Sequence, residues 1–178
     1  ACEKGARWQQ ALVMLSDMRL RRLEPDVVTY TSAVRACDRG APWYVGLGMM
    51  SDVLLRRLSP NVIFCNTAIK ACEKGDRWQE AFGRFSDMQR RRLTPDVISY
   101  NAAIGACGKC SRWHEAIGIL SDMQVRCLKP DVFNYNTAIS AGGKGARWRE
   151  ALGMFSDMQL RGLEPNVITY SAAISACE

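Results

Sequence analysis

The chain has 178 residues, of which 48% are hydrophobic and 24% charged, a composition typical of a folded domain rather than a disordered segment. Its 24 Lys and Arg exceed its 18 Asp and Glu, and the net charge of +6 suits an acidic partner such as nucleic acid without proving one. No apolar run reaches the roughly 18 residues of a membrane-spanning helix, and the single histidine excludes any mechanism that needs two.

A fixed period of 35 residues runs through the chain, which predicts tandem repeats. Each tryptophan and five of the six prolines recur at this interval, at Trp8, Trp43, Trp78, Trp113 and Trp148 and at Pro25, Pro60, Pro95, Pro130 and Pro165. The period predicts one array over 1–178. It begins with a partial repeat over 1–26, continues with full repeats over 27–61, 62–96, 97–131 and 132–166, and ends with the first helix of a further repeat over 167–178.

Each repeat contains two helical patterns, which are clearest in 132–166. Apolar residues at three- and four-residue steps predict a first helix over about 132–144, and Gly145 is expected to end it in the left-handed conformation. A second apolar stripe, beginning at Trp148, predicts a helix over about 148–161 that ends at Gly162 and Pro165. Neither segment alternates apolar and polar residues as a β-strand does, so no sheet is expected.

Helices of this length are marginal alone and need neighbours to cover their apolar stripes. Stacked pairs provide that cover, so the sequence predicts an all-α fold, an α-solenoid of helix-turn-helix repeats. The tryptophans could stack on bases, but their place in the apolar stripe predicts burial in the core. The methionines of the same stripe, Met49, Met50, Met88 and Met158, are likewise expected to fill the core.

Five of the eight cysteines occupy one column of the repeat, at Cys2, Cys37, Cys72, Cys107 and Cys177, with Gly142 in the remaining slot. Neighbouring repeats are about 8–10 Å apart, too far for disulfides, so buried and reduced thiols in a reducing compartment are expected. Cys107, Cys110 and His114 form the one metal-like group. A structural zinc site needs four ligands and usually a second cysteine pair, so no metal and no cofactor are predicted.

The first helix of each repeat has a face that the core does not use, and that face has a constant chemistry. Its positions are apolar, short polar, variable and basic, as in Phe133, Asn136, Ser140 and Lys144. An amide can bond a base edge, an apolar side chain can pack on a base, and a cation can meet a phosphate. Solvated helix surface is the alternative, because helix capping and the macrodipole favour similar placements.

Two segments carry a family resemblance: Pro-Asp-Val-Ile-Ser-Tyr-Asn-Ala-Ala-Ile at 95–104 and Trp-Arg-Glu-Ala-Leu-Gly-Met-Phe-Ser-Asp-Met at 148–158. They resemble the pentatricopeptide repeat, and the 35-residue period favours this family over the 34-residue tetratricopeptide repeat. The resemblance implies a right-handed superhelix that binds single-stranded RNA, usually in mitochondria or plastids. It covers the whole chain.

The resemblance also implies roles for individual positions. The fifth and last residues of a repeat select the base, in the pairs Thr31 with Asn61, Asn66 with Asp96, Asn101 with Asp131, and Asn136 with Asn166, while Asp26 and Ser171 belong to incomplete pairs. The second residues sandwich the bases, at Val28, Ile63, Ile98, Phe133 and Ile168. The basic column meets phosphates, at Lys4, Arg39, Lys74, Lys109 and Lys144. By the family's code the pairs resemble readers of 5′-A-U-U-C/U-3′.

The function expected from these features is non-catalytic, sequence-selective RNA binding in organellar RNA processing, stability or translation. The chain lacks the His-x-Glu and Pro-Cys-x-x-Cys motifs of zinc deaminases, and no feature supports an enzyme. The alternative is a helical protein scaffold or a structural subunit of a large, ribosome-like assembly. The apolar residues Val167, Tyr170 and Ile174 of the last helix also predict end-to-end self-association.

Overall fold

The computed structural model describes residues 6–37 and 40–178, and within these ranges the chain forms ten α-helices and no strand. The helices are α1 Ala6–Leu20, α2 Val27–Cys37, α3 Trp43–Leu55, α4 Val62–Lys74, α5 Trp78–Arg90, α6 Val97–Lys109, α7 Trp113–Val125, α8 Val132–Lys144, α9 Trp148–Leu160 and α10 Val167–Ser175. The predicted all-α repeat fold is confirmed. None of these described helices combines the length and the apolar character needed to cross a bilayer.

The helices form two layers. The inner helices α2, α4, α6, α8 and α10 pack directly on one another in chain order, whereas the backbones of the outer helices α1, α3, α5, α7 and α9 lie, in the described ranges, close only to inner helices. The layer whose members lie closer together occupies the inside of a curve. The inner helices therefore line the concave face.

The core repeats with the sequence. Its largest fully buried side chains are Tyr30, Phe64, Tyr100 and Tyr135, with Ile69, Ile104 and Ile139 and the methionines Met88, Met123 and Met158. The prediction that the methionine stripe fills the core is confirmed, since Met49 and Met50 are also buried. Burial of this apolar surface is what holds helices that would be marginal alone.

Buried tyrosines join the two helices of one repeat, and a glutamine of the preceding repeat bonds the same carboxylate. The Tyr135 hydroxyl donates to Asp157 in α9 at 2.5 Å, and the Gln124 amide in α7 donates to the same carboxylate oxygen at 3.3 Å. Burial, together with the bond to Asp157, raises the pKa of Tyr135 to about 12. Tyr100 and Asp122 repeat the arrangement one period earlier, with the hydroxyl and carboxylate oxygens 2.5 Å apart.

The turns correct one prediction about glycine. Gly145 has a φ of −87°, and the left-handed residue is Ala146, with a φ of 54°. The Arg147 N–H then bonds the Gly142 carbonyl at 2.9 Å and closes the turn. Gly145 is needed for space, because a Cβ there would lie 2.6 Å from the Trp113 ring. Gly162 does end α9 with a φ of 73°, as predicted.

The prediction that the tryptophans are buried in the core is wrong. Trp8, Trp43, Trp78 and Trp113 are half-buried, and Trp148 is 46% exposed. Each is near or at the start of an outer helix. At Trp43, Trp78 and Trp113 an arginine of the next repeat lies over the ring, as Arg112 does over Trp78 at 3.9 Å. These three rings therefore join adjacent repeats at the edge of the array.

The cysteine column is buried in part. Cys37, Cys72 and Cys107 are buried free thiols, as predicted, and burial raises the pKa of Cys72 to about 11 and of Cys107 to about 12. Cys177 is exposed, because α10 ends at Ser175 and Cys177 lies in the turn beyond it. The prediction at Cys2 falls outside the described residues.

Candidate nucleic-acid interface

The second residue of each repeat forms an exposed apolar column on the inner helices. Its members are Val28, Ile63, Ile98, Phe133 and Ile168, and each is between 49% and 66% exposed. Each one is the second residue of its inner helix and lies in the first turn. Large apolar side chains kept in water at every repeat favour a surface that another molecule covers.

The sequence places the fifth residue of each repeat on the face that the core does not use, but Asn66 in the second repeat is 94% buried, with both ends of its amide engaged. Its Nδ2 donates to Oδ1 of Asp96 at 2.9 Å, so the structure brings together the two members of this predicted pair. Its Oδ1 accepts from the Ser99 hydroxyl at 2.5 Å. The amide is therefore fixed in one orientation beside the exposed side chain of Ile63.

Asn136 repeats this arrangement in the fourth repeat. Its Nδ2 donates to Oδ1 of Asn166 at 3.3 Å, and its Oδ1 accepts from the Thr169 hydroxyl at 2.6 Å. The predicted pair is again in contact, and the two amides point the same way relative to their helices.

Asn101, in the third repeat, is held from one side. Its Oδ1 accepts from Nδ2 of Asn134 at 2.9 Å, and in the described structure no hydrogen bond joins it to Asp131.

Thr31, in the first repeat, differs from all three asparagines. Its hydroxyl donates to the Val27 carbonyl of its own helix at 2.6 Å, and no described bond connects it to Asn61. In the other repeats, the asparagine is bonded by the third residue of the following repeat. The residue at that position after Thr31 is Phe64, whose side chain has no polar group. Thr31 therefore keeps its orientation through the backbone alone.

The closing residues of the pairs cap the inner helix that follows. Side-chain oxygens of Asn61, Asp96, Asp131 and Asn166 each accept a backbone N–H three residues further on, at 2.8–3.0 Å. Asp26 caps α2 in the same way through Thr29. This bond satisfies a helix-end donor and fixes the side chain that the pair would use.

The charge of Asp96 is stabilised where it stands. Partial burial would raise the pKa of this carboxyl, but hydrogen bonds, led by those from the Ser99 N–H and the Asn66 amide, outweigh burial and lower it. Asp96 therefore remains an anion, able only to accept hydrogen bonds, throughout the physiological pH range.

Sequence reasoning missed the third residues of the repeats. Ser99, Asn134 and Thr169 are fully buried and polar, and each reaches a fifth residue 33 positions earlier. The sequence did contain a signal for their bond to the N-cap, because a polar residue three positions after an Asp or Asn N-cap is the pattern of a capping box. The contact across repeats has no such local signal.

The predicted basic column is partly neutralised. Lys74, Lys109 and Lys144 are exposed at equivalent helix ends, whereas Lys4 and Arg39 fall outside the described residues. Lys109 Nζ lies 3.5 Å from a carboxylate oxygen of Glu73 and donates to its carbonyl at 3.2 Å. One carboxylate therefore lies within the cationic column.

The metal-like group does not form a site. In the described part of the chain, no three His, Cys, Asp or Glu side chains are placed to hold a metal ion. Cys107 is buried, Cys110 donates to the Asp76 carbonyl at 3.2 Å, and His114 stacks on Trp113 with ring centroids 3.6 Å apart. Each of these side chains has a structural contact of its own.

A model of the PPR repeat family matches residues 60–107, 95–144 and 130–178, which together cover well over half of the chain. The chain belongs to the PPR family. No curated protein matches this PPR chain in sequence. The family model covers the second, third and fourth full repeats, which contain the three asparagines in the fifth position.

Solved PPR structures resemble the array closely. The PPR10 protein from maize is 28% identical with a TM-score of 0.65, over 97% of this chain and 24% of its own. PPR10 in complex with an 18-nt psaJ RNA element gives a TM-score of 0.72 at 21% identity, over 96% and 25%. The chain thus spans about a quarter of the length of PPR10.

The PPR domain of Arabidopsis thaliana protein-only RNase P 1, in complex with tRNA, is 12% identical with a TM-score of 0.83. The match covers 99% of this chain and 93% of that domain. At this identity the likeness concerns the fold alone.

Proposed function

We propose that the concave face of this PPR array binds single-stranded RNA, about one base per repeat, without catalysis of its own. The observation that carries the proposal is the repetition of one chemical set along the inner helices. An exposed apolar side chain, a fixed polar side chain one turn along, and an exposed cation at the helix end recur in the second, third and fourth full repeats. This set suits a base face, a base edge and a phosphate.

The base preference follows from the family's code applied to 27–61, 62–96, 97–131 and 132–166 as reading units. Thr31 with Asn61 would read A, the two Asn–Asp pairs U, and Asn136 with Asn166 C or U. The strand would run 5′ to 3′ from the first to the fourth unit. Two of the similar structures contain RNA, PPR10 with a psaJ RNA element and the RNase P 1 domain with tRNA, and they support RNA as the class of ligand.

The cellular role we propose is organellar. By occupying RNA, the protein would block nucleases, remodel a hairpin or recruit a catalytic partner in a mitochondrion or plastid. The family membership supports this setting, and the buried thiols suit a reducing compartment.

A base swap at the third unit tests the proposal. Wild type and Asn101→Thr are compared by fluorescence competition between 12-nucleotide RNAs that carry AUUC or AUGC. Thr is shorter and has one hydroxyl, which by the family's code exchanges U for G. We expect wild type to prefer AUUC and the variant AUGC. The swing should be roughly 5- to 150-fold, the range of about 1–3 kcal/mol for a base-edge contact.

The control is Ser140→Thr, on the same inner-helix face but outside the pairs, which should leave the preference unchanged. Equal weakening of both RNAs by Asn101→Thr would mean that Asn101 does not read a base. Absence of any preference, together with binding that ignores salt, would overturn RNA binding in favour of a protein scaffold.

A further inference from the structure

We infer that the third residue of each repeat is a specificity-determining positioning residue for the repeat before it, because it fixes the orientation of that repeat's reading amide. The inference rests on the proposed function. It assigns Ser99 to Asn66, Asn134 to Asn101 and Thr169 to Asn136. The bonds run from a hydroxyl or amide donor to the asparagine Oδ1, at 2.5, 2.9 and 2.6 Å.

An asparagine amide has two chemically opposite ends, and a rotation of 180° about its last bond exchanges donor and acceptor. In all three repeats the third residue engages the oxygen end. At Asn66 and Asn136 the Nδ2 end donates one N–H to the closing residue. An amide nitrogen carries two N–H groups, so the second remains for a base acceptor.

The third residues are themselves held firmly. Ser99, Asn134 and Thr169 have no solvent exposure, and each accepts the backbone N–H of the closing residue at 3.0–3.1 Å. The Ser99 and Thr169 hydroxyls also lie 2.9 and 3.0 Å from the side-chain oxygen of the closing residue, but the asparagine Oδ1 is the nearer acceptor, at 2.5 and 2.6 Å. With its oxygen bonded to the N-cap N–H, the side chain therefore directs its donor to the asparagine. It passes that orientation to the amide, so the base read by one repeat depends on a residue of the next.

The chain contains a natural contrast at its first full repeat. Phe64 occupies the third position there, and Thr31 at the corresponding fifth position needs no orienting partner, because a hydroxyl has no opposed ends to exchange. Among the described full repeats, polar third residues therefore accompany asparagine and the apolar one accompanies threonine.

The experiment measures base preference at the second unit. Wild type and Ser99→Ala are compared on RNAs that carry AUUC, ACUC or AAUC. We expect Ser99→Ala to reduce the preference for U at the second base at least threefold towards equality, with the preference at the third base unchanged. Ser99→Thr should restore it. In an Asn66→Ala background, Ser99→Ala should cause no further change in preference.

Thr29→Ala is the matched control. Thr29 is the third residue of the first full repeat and bonds the N-cap Asp26 by its hydroxyl at 2.7 Å, but no described fifth residue contacts it. It should lower stability as Ser99→Ala does and leave every base preference intact. If Ser99→Ala weakens all three RNAs equally, its role is capping alone and the inference is overturned.

A second variant and a second readout keep the test independent of folding and of RNA. Thr169→Val keeps the side-chain shape at the fourth unit and removes the donor to Asn136. Proton exchange of the Asn66 side-chain amide, followed by NMR without RNA, should accelerate at least tenfold in Ser99→Ala. An unchanged exchange rate would overturn the inference. A wild type that binds no RNA would overturn the proposed function while leaving the measured orientation intact.

Discussion

Glu73 offers the sharpest test of how the array meets phosphates, because it places a negative charge in the cationic column. Its carboxylate lies 3.5 Å from Lys109 Nζ and extends over Gly105, where an added Cβ would lie 3.0 Å from the Glu73 Cδ. Glycine at 105 thus makes room for this ion pair. A phosphate at Lys109 would have to compete with Glu73.

The magnitude follows from the exposure of the pair. The Lys109 side chain is 46% exposed and that of Glu73 23%, so solvent screens the attraction and a value of about 0.2–1 kcal/mol applies. Glu73→Gln removes this competition and keeps the shape of the side chain. We expect RNA binding to tighten about 1.5- to 5-fold at 0.1 M salt, the same free energy expressed as affinity.

The assay is a salt titration of RNA affinity for wild type and variant. Restoring one full lysine–phosphate contact should steepen the slope of log K against log salt by up to about 0.7. Glu150→Gln is the control, because Glu150 forms a similar pair with Arg147 at 3.7 Å on the outer helix α9. It changes the net charge equally and should barely change affinity. If Glu73→Gln leaves both affinity and slope unchanged, Lys109 does not meet a phosphate.

Three further outcomes are expected. Lys144→Ala should weaken all RNA sequences alike and flatten the salt slope by about 0.7, measured by the same titration. The free energy of unfolding should fall as pH rises from 10 to 12, because the Tyr135 hydroxyl loses its proton near pH 10 in the unfolded chain and near pH 12 in the folded one. Urea denaturation at a series of pH values measures this fall, and Tyr135→Phe should reduce it. Light scattering should show self-association that rises with protein concentration, because the apolar side chains of Ile174, Val167 and Tyr170 are 64%, 82% and 51% exposed. Ile174→Lys should reduce this association, and a strict monomer at high concentration would contradict the prediction.

The local chemistry of the sequence determined the helices. The interval between tryptophans, the apolar steps from Val132 and the Asp or Asn before each inner helix are signals within one repeat, and they predicted α8 over the range that the structure has. They also predicted the second-position column, whose exposure the structure bears out, because a helix of known register leaves a known face outside. The roles given to that face remain proposals.

Contacts between repeats were decided by the tertiary structure. Gly145 is required by a ring from the preceding repeat, Trp78 is covered by an arginine of the next, and Ser99 orients an amide 33 residues away. Glu73 neutralises Lys109 across the same boundary. A periodic pattern gives each residue its face on a helix. Which atoms meet across two packed helices depends on their separation and rotation, which one helix's sequence does not specify and the packing of whole repeats does.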